Sequence, residues 1–176
     1  MILYIGSTSY RDFIQQAGGT LSEEIPVKEA SALIVDTNSQ KATEAVKEAK
    51  KASLPILGIL DGSEAVAAAF GAAVQSISCE EGNQEWAVID ATSPIYLELE
   101  SVIKVARGKP FAVCEDTLPP ELDCMSRSED GKIIALRSRR SPKEYGDVYA
   151  VNYDLKSQLT PDGVQIIKNF IQLANA

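Results

Sequence analysis

Two apolar runs, each followed by a helical pattern, constrain the fold of this chain most strongly. They are ALIVD at residues 32–36 and LPILGIL at residues 54–60. Uninterrupted apolar runs of this length are typical of parallel strands that are buried on both faces. Because short links join these strands to helix-forming segments, the pattern predicts a parallel sheet with helices on both sides.

The first 72 residues predict the element order β-α-β-β-α-β-α. The first strand is expected at 2–5, and Ser9 is expected to cap the helix that follows it. Thr37 or Asn38 is expected to cap the helix after residue 36, and Gly71 to end the third helix. The segment TLSEEIPV alternates apolar and polar residues, as an edge strand would.

The second half of the chain indicates a meander of short strands. Strand-like runs lie at residues 72–78, 85–90, 101–106, 111–115, 122–126, 132–137 and 148–153. The turn at 129–131, Glu-Asp-Gly, is the clearest hairpin signal. A last helix is expected to start with Pro161 in its first position and to bury Val164, Ile167, Phe170, Ile171 and Ala174. No linker or repeat divides the chain, so we expect a single domain over residues 1–176.

The charge balance disfavours two classes of partner. Lys and Arg total 17 against 25 Asp and Glu, which gives a net charge of -8. Such a surface repels phosphate backbones and anionic lipid, so we expect neither a nucleic-acid nor a membrane partner. The N-terminus lacks a basic region and a long apolar region, so no secretory signal is predicted and the expected location is cytoplasmic.

The absence of histidine limits the chemistry most sharply. With no histidine in the sequence, the chain cannot assemble a Ser-His-Asp or Cys-His nucleophile, nor a Cys/His zinc site. We also expect no metal and no cofactor. The three cysteines, Cys79, Cys114 and Cys124, are widely spaced and are expected to be reduced, mostly buried thiols.

Three stretches together resemble the class I glutamine amidotransferase family. They are LPILGILDGSEAVAAAFGA, MSRSEDGKIIALRSRRSPKEYGDVYAVNY and LTPDGVQIIKNF, which occur in the family's order. The layout is most similar to the small archaeal-type amidotransferase subunit of GMP synthase. The resemblance implies a three-layer, flavodoxin-like α/β fold with a mostly parallel sheet and antiparallel strands from the second half.

The residues that carry the family's chemistry are replaced in this chain. Family enzymes use a cysteine nucleophile on a strand-to-helix elbow, a histidine base and a glutamate that orients it. The matching positions here are Leu60, Asp154 and Lys156. Glu64 stands where the family has a glutamine, and the segment 37–40 lacks the glycines of the family's oxyanion loop. The resemblance therefore predicts a member without the catalytic triad.

Several functions stay open for such a chain. The candidate ligand-binding residues are Asp61, Gly62, Ser63, Glu64 and Asn152. One hypothesis is a docking or regulatory protein that binds a synthetase or an active amidotransferase partner, and another is a small-molecule-binding protein. Alternatives are a GMP synthase-type amidotransferase subunit, or a hydrolase that uses carboxylates such as Asp61 and Asp154 as acid and base.

A basic stretch in the last hairpin is a further candidate surface. The segment KIIALRSRRSPK carries Arg137, Arg139, Arg140 and Lys143 in an otherwise acidic chain. This local contrast in charge predicts either a solvated rim or a contact with an acidic partner or a phosphate.

Overall fold

A mixed β-sheet forms the centre of the protein. The structure is a computed structural model that describes residues 1–139 and 145–176. In these residues the strands are β1 (Ile2–Ile5), β2 (Leu21–Ser22), β3 (Ala32–Val35), β4 (Ile56–Ile59), β5 (Val74–Ser76), β6 (Gln84–Ile89), β7 (Val102–Ala106), β8 (Phe111–Val113), β9 (Leu122–Arg127), β10 (Ile133–Ser138) and β11 (Val148–Val151). The α-helices are α1 (Thr8–Gln16), α2 (Gln40–Lys51), α3 (Asp61–Ala69) and α4 (Gly163–Ala174). The predicted element order of the first half and all seven strands of the second half are confirmed.

The strand order explains how the two halves meet. The main sheet runs β2-β1-β3-β4-β11-β10-β9-β6-β7. Strands β2, β1, β3, β4 and β11 are parallel, and β10, β9, β6 and β7 continue the sheet with antiparallel pairing. The late strand β11 therefore pairs directly with β4, in register from Val148 against Ile56 to Val151 against Ile59. This pairing brings the residues after β11 to the carboxyl end of β4.

Helices cover the parallel part of the sheet on both sides. Helices α1 and α4 pack on one face, where Tyr10, Ile14 and Phe170 are buried. Helices α2 and α3 pack on the other face, where Val46 and Val66 are buried. Every residue of β3 is buried, as the uninterrupted apolar run predicted. The protein thus has the three-layer α/β architecture that the sequence indicated.

The N-caps of two helices differ from the predicted residues. Ser7 caps α1, and its hydroxyl accepts from the Tyr10 N–H, so the prediction of Ser9 was wrong. Ser39 caps α2 and accepts from the Ala42 N–H at 3.1 Å, so Thr37 and Asn38 were wrong too. Each run offers several Ser, Thr or Asn residues, and only the extended backbone of the cap decides among them. Helix α3 ends before Gly71, which has a φ of +86° as expected for a C-terminal glycine.

The last helix begins later than predicted. It starts at Gly163 rather than at Pro161. A Cβ at position 163 would lie only 1.8 Å from the Leu155 carbonyl oxygen, so this close approach requires glycine. Of the residues predicted to be buried in this helix, all are buried except Val164, which is exposed. Ile166 is buried in its place.

Other predictions concern the thiols and the basic stretch. The three cysteines are free and half-buried rather than mostly buried. In the basic stretch, Arg137 forms an ion pair with Asp90 at 3.0 Å, whereas Arg140 and Lys143 lie outside the described residues. In the part of the chain that the structure describes, no helix has the length and apolar character needed to cross a bilayer.

Candidate functional site

A strained elbow joins β4 to α3. Its apex is Leu60, whose backbone has a φ of 55° and a ψ of -120°. Residues other than glycine rarely adopt a positive φ, and such a conformation costs on the order of 1–3 kcal/mol. The Leu60 N–H donates to the Val151 carbonyl oxygen at 2.9 Å. The pairing of β4 with β11 therefore helps to hold this conformation.

Glycines on both sides of the apex make the elbow possible. A Cβ at position 58 would lie 2.5 Å from the Gly62 carbonyl oxygen. A Cβ at position 62 would lie 2.1 Å from the Val35 carbonyl oxygen at the end of β3. Both obstacles are backbone atoms, which cannot move aside as a flexible side chain can. The sequence Gly-Ile-Leu-Asp-Gly is thus the one local pattern that encodes the elbow.

The side chains of the elbow mostly support the turn itself. Leu60 is half-buried and packs against the core on the α1 and α4 side. Ser63 is 6% exposed, and its hydroxyl donates to the Leu60 carbonyl oxygen at 2.5 Å. Gly62 is buried and Glu64 is half-buried in the first turn of α3. Of the predicted ligand-binding residues in this turn, only Asp61 lines the neighbouring depression.

An open depression of about 530 Å³ lies at the carboxyl ends of β1, β3 and β4. This is where ligands bind in open α/β sheets. Its lining includes Tyr10, Asp36, Leu60, Asp61, Lys109 and Lys156. The depression therefore combines an apolar apex with hydroxyl groups and with charges of both signs.

Asp154 and Lys156 meet beside Tyr10. The Tyr10 hydroxyl donates to Asp154 Oδ1 at 2.5 Å, although the two residues are 144 positions apart in sequence. Lys156 Nζ lies 3.7 Å from Asp154 Oδ2 and 5.3 Å from the centroid of the Tyr10 ring. Burial and the hydrogen bond to Asp154 raise the pKa of Tyr10 far above its ordinary value. Tyr10 therefore stays a neutral donor that holds the Asp154 carboxylate in place.

Asp36, at the end of β3, is committed to the backbone and side chains of the β1–α1 turn. Its carboxylate accepts from the Tyr4 hydroxyl at 3.0 Å, and from the Ser7 N–H and hydroxyl at 3.0 and 2.8 Å. A Cβ at Gly6 would lie 1.8 Å from Asp36 Oδ1. Asp36 thus organises the wall of the depression rather than offering free lone pairs to it.

Asp61 differs from the other carboxylates of the depression. Within residues 1–139 and 145–176 its side chain makes no hydrogen bond or ion pair. Lys109 Nζ, on the same depression, lies 3.2 Å from Glu81 Oε1. The pKa of Lys109 is raised by the hydrogen bond to Glu81 and also by the charges of Asp61 and Asp154. The depression therefore presents one uncommitted carboxylate near two ammonium groups.

Asn152 has a different position from the other predicted residues. It is 4% exposed and does not line the depression. Its Oδ1 accepts from the Lys109 N–H at 2.9 Å, and its Nδ2 donates to the carbonyl oxygens of Lys109 and Phe111 at 3.1 and 3.0 Å. The side chain therefore fixes the backbone that carries Lys109.

Tyr10 and Lys109 were not among the predicted site residues. Each belongs to the depression because of long-range contacts, and neither lies in a motif. Asp36 ends the buried run ALIVD, and its sequence position already indicated the carboxyl edge of the sheet, where ligands bind. No local signal could have identified Tyr10, whose partner comes from the last quarter of the chain.

Comparisons with known protein sequences identify one family. The model of "Glutamine amidotransferase class-I" matches residues 33–173. The chain is 29% identical over 126 residues to anthranilate synthase component 2 of Archaeoglobus fulgidus, which covers 71% of this chain and 65% of that protein. It is 33% identical over 125 residues to aminodeoxychorismate synthase of Streptomyces griseus, covering 71% of this chain and 16% of that protein. The chain therefore spans less than two thirds of the length of these relatives.

Solved structures with the same fold cover nearly the whole chain. A putative GMP synthase subunit from Thermoplasma acidophilum superposes with a TM-score of 0.77 at 19% identity, covering 99% of this chain and 93% of the other. A glutamine amidotransferase from Thermotoga maritima superposes with a TM-score of 0.74 at 12% identity, covering 99% and 97%. At these identities the superpositions concern the fold alone.

Proposed function

The chain belongs to the class I glutamine amidotransferase family, and we propose that it is a catalytically degenerate member with a docking or regulatory role. The observation that carries the proposal is the leucine at the apex of the elbow. The turn keeps the strained backbone that would present a nucleophile, but the Leu60 side chain is aliphatic and half-buried. An aliphatic side chain has no lone pair with which to attack an amide carbonyl.

The positions that match the other triad members support the same proposal. Amide hydrolysis through an acyl-enzyme needs a base for the nucleophile and an acid for the leaving ammonia. Asp154 stands at the position of the base and already accepts from Tyr10. Lys156 stands at the position of the orienting carboxylate and carries the opposite charge. The sequence holds no histidine that could replace them.

Relatives suggest what kind of partner this protein binds. The relative from Archaeoglobus fulgidus is named as component 2 of anthranilate synthase, and the one from Streptomyces griseus as aminodeoxychorismate synthase. We propose that this chain docks on a synthetase subunit or competes there with an active amidotransferase subunit. The proposal includes a cytoplasmic location and no nucleic-acid or membrane partner. It also treats residues 1–176 as one domain, which the continuous sheet from β2 to β7 supports.

The first experiment measures ammonia and glutamate release from glutamine. The purified protein should release neither above the rate without protein. A triple variant, Leu60→Cys with Asp154→His and Lys156→Glu, should acquire measurable glutaminase activity if the elbow keeps the family geometry. Leu60→Cys alone is the matched control and should stay inactive. If the natural protein hydrolyses glutamine and the Leu60→Ala variant does so equally well, both the proposal and the assignment of the elbow as the candidate site are contradicted.

The second experiment tests docking with a defined partner. The synthetase subunit of a GMP synthase is titrated with the protein, and its glutamine-dependent activity with its own amidotransferase subunit is followed. A docking protein should inhibit that activity competitively while the ammonia-dependent activity is unchanged. Absence of binding to this subunit, and to the large subunits of anthranilate and aminodeoxychorismate synthases, would refute the docking role.

A second candidate function is binding of a small molecule in the depression. The uncommitted Asp61 carboxylate and the ammonium groups of Lys109 and Lys156 favour a zwitterion or another ligand with charges of both signs. A ligand that binds the folded state raises the melting temperature, so a screen of metabolites by thermal shift tests this role. Asp61→Asn should abolish the shift, and Glu64→Gln, which changes a carboxylate outside the lining, should not.

The two catalytic alternatives receive less support. A hydrolase that uses Asp61 and Asp154 needs two available carboxylates, but Asp154 is held by Tyr10 and lies 3.7 Å from the Lys156 ammonium. An active amidotransferase subunit needs a nucleophile that position 60 does not supply. The glutaminase measurement described above distinguishes an active amidotransferase subunit from a docking protein.

A further inference from the structure

The β6–β7 hairpin carries an uncovered apolar surface. Its outward side chains are Trp86, Val88, Val102, Lys104 and Arg127, the last from the neighbouring strand β9, and we call this surface the hairpin face. Trp86 pairs with Lys104 and Val88 pairs with both Val102 and Arg127, so all five side chains point to one side of the sheet. Trp86, Val88 and Val102 are 50%, 60% and 43% exposed.

The composition of the hairpin face is unusual for a solvated surface. An antiparallel sheet with one wet side normally alternates apolar residues inward with polar residues outward. In this hairpin the inward residues Ala87, Ile103 and Val105 are buried, but three of the outward residues are apolar as well. Contiguous exposed apolar residues mark interaction surfaces, and tryptophan is enriched among the residues that dominate binding energy.

The position of Lys104 indicates how a partner approaches. Strand β7 is the last strand of the sheet, and a lysine in an edge strand opposes the addition of another strand. The Lys104 ammonium lies 5.0 Å from the centroid of the Trp86 ring. Among the described residues it has no carboxylate within ion-pair distance. A partner is therefore expected to pack on the face of the hairpin and to supply a carboxylate to Lys104.

The charges around the hairpin face fit a second copy of this chain. The chain has a net charge of -8, so most of its surface repels another copy. Here the two cations Lys104 and Arg127 are balanced by two carboxylates. Glu115 pairs with Arg127, and Glu129 Oε1 accepts from the Trp86 N–H at 2.9 Å. Because these four charges sum to zero, they add no net repulsion between two copies that approach through the hairpin face.

We propose that the hairpin face is the interface of a homodimer with two-fold symmetry. In such an interface residue i contacts residue j and j contacts i. Lys104 of each copy then meets Glu129 of the other, around a centre formed by Trp86, Val88 and Val102. This dimer does not depend on the docking or ligand-binding role, because the hairpin face shares no residue with the depression at the elbow.

The test uses the chain's single tryptophan. Sedimentation equilibrium measures the mass from low to high micromolar protein, and the emission of Trp86 is recorded on the same dilution series. We expect a monomer–dimer equilibrium with a blue shift of the emission as the dimer forms, because Trp86 leaves water. Val102→Glu should weaken the dimer about 30-fold or more, since it places a carboxylate at the centre.

A matched variant and a second substitution keep the test decisive. Val164→Glu changes a valine of α4 that is 44% exposed, close to the 43% of Val102, and should leave the dimer unchanged. If Val102→Glu does not fold, as judged by circular dichroism, Val88→Lys replaces it. A monomer at every concentration would overturn the proposal. The same holds if the protein stays monomeric and its Trp86 emission shifts only when a different protein is added. A dimer that resists both hairpin substitutions would overturn it as well.

Discussion

The elbow and the hairpin face lie in different halves of the sheet, and they differ in how their side chains are used. At the elbow the polar groups are mostly bonded to each other and to the backbone, as with Asp36, Ser63 and Asp154. At the hairpin the apolar side chains of Trp86 and Val88 are exposed to solvent. The parallel half has helices on both sides, whereas Trp86, Val88 and Val102 leave one side of β6 and β7 largely exposed.

The difference lies in how tightly each region is constrained. The elbow has a strained backbone and two glycines, which are held in place because β3, β4 and β11 pack tightly around them. The hairpin face has no such constraint. We therefore expect substitutions at the elbow to change stability and substitutions on the hairpin face to change association.

The largest effect is expected for Gly62→Ala at the elbow. The new Cβ would lie 2.1 Å from the Val35 carbonyl oxygen, so the backbone of β3 or α3 must shift. The free energy of unfolding, measured in urea, should fall by about 3 kcal/mol or more. The control is Gly71→Ala, where nothing lies within 4 Å and only the φ of +86° is unfavourable. A loss of about 1 kcal/mol is expected there, and equal losses at both sites would show that the elbow is loosely packed.

The two sides of the hairpin should respond very differently to truncation. Ile103 is 3% exposed on the inward side, and Ile103→Ala should lower the free energy of unfolding by about 3 kcal/mol. Its neighbour Val102 is 43% exposed, and Val102→Ala should change it by less than about 0.5 kcal/mol at low protein concentration. Chemical denaturation of both variants checks this. Similar losses would mean that the outward side is buried in the isolated chain.

The strain at the apex of the elbow can be measured with a pair of variants. Leu60→Ala and Leu60→Gly both remove the side-chain packing, but only glycine relieves the positive φ of 55°. The glycine variant should be more stable than the alanine variant by about 1 kcal/mol. At Ala68, an exposed position inside α3, glycine should instead destabilise by about 1 kcal/mol. If glycine is less stable than alanine at position 60 as well as at position 68, the backbone of Leu60 is not strained.

The smallest effect is expected at Asp130, in the turn between β9 and β10, and concerns the free energy of unfolding at low pH. Asp130 has a pKa below its usual range because Ser128 donates to it and because the Arg107 guanidinium lies 3.4 Å away. A carboxylate with a lowered folded pKa contributes stability above its unfolded pKa of about 4 and loses it as the pH falls through the folded value. Asp130→Asn should therefore reduce the acid sensitivity of unfolding, by less than about 1 kcal/mol because the side chain is half-exposed. Asp116→Asn is the control, and an equal change there would show that the effect is not specific.

Most of the fold could be predicted from local patterns. The uninterrupted apolar runs identified β3 and β4, the helical periodicity identified α2, and Gly71 marked the end of α3. The seven strands of the second half were found because turn residues separate their apolar runs. The helix caps could not be predicted, because several hydroxyl residues compete in each turn and the backbone of the cap is set by packing.

The candidate site was predicted in part. The elbow and Asp61 follow from one short motif, whereas Tyr10 and Lys109 joined the depression through partners far away in sequence. Asn152 was expected near the site because of the family resemblance, but its amide is fully used by the backbone around Lys109. Which polar groups stay free therefore depends on contacts that no local pattern encodes.

By itself the sequence determined the order of strands and helices, the tight turn with leucine at its apex, and the lack of any histidine. The tertiary structure alone decided that β11 pairs with β4 and so brings Asp154 to Tyr10. It also decided which side of β6 faces solvent. In β6 both alternating sets contain apolar residues, so periodicity cannot distinguish them. Which side of β6 is buried depends on which side of the sheet the helices cover. A local pattern shows only that a residue is apolar, whereas the pairing of distant strands depends on packing across the whole sheet.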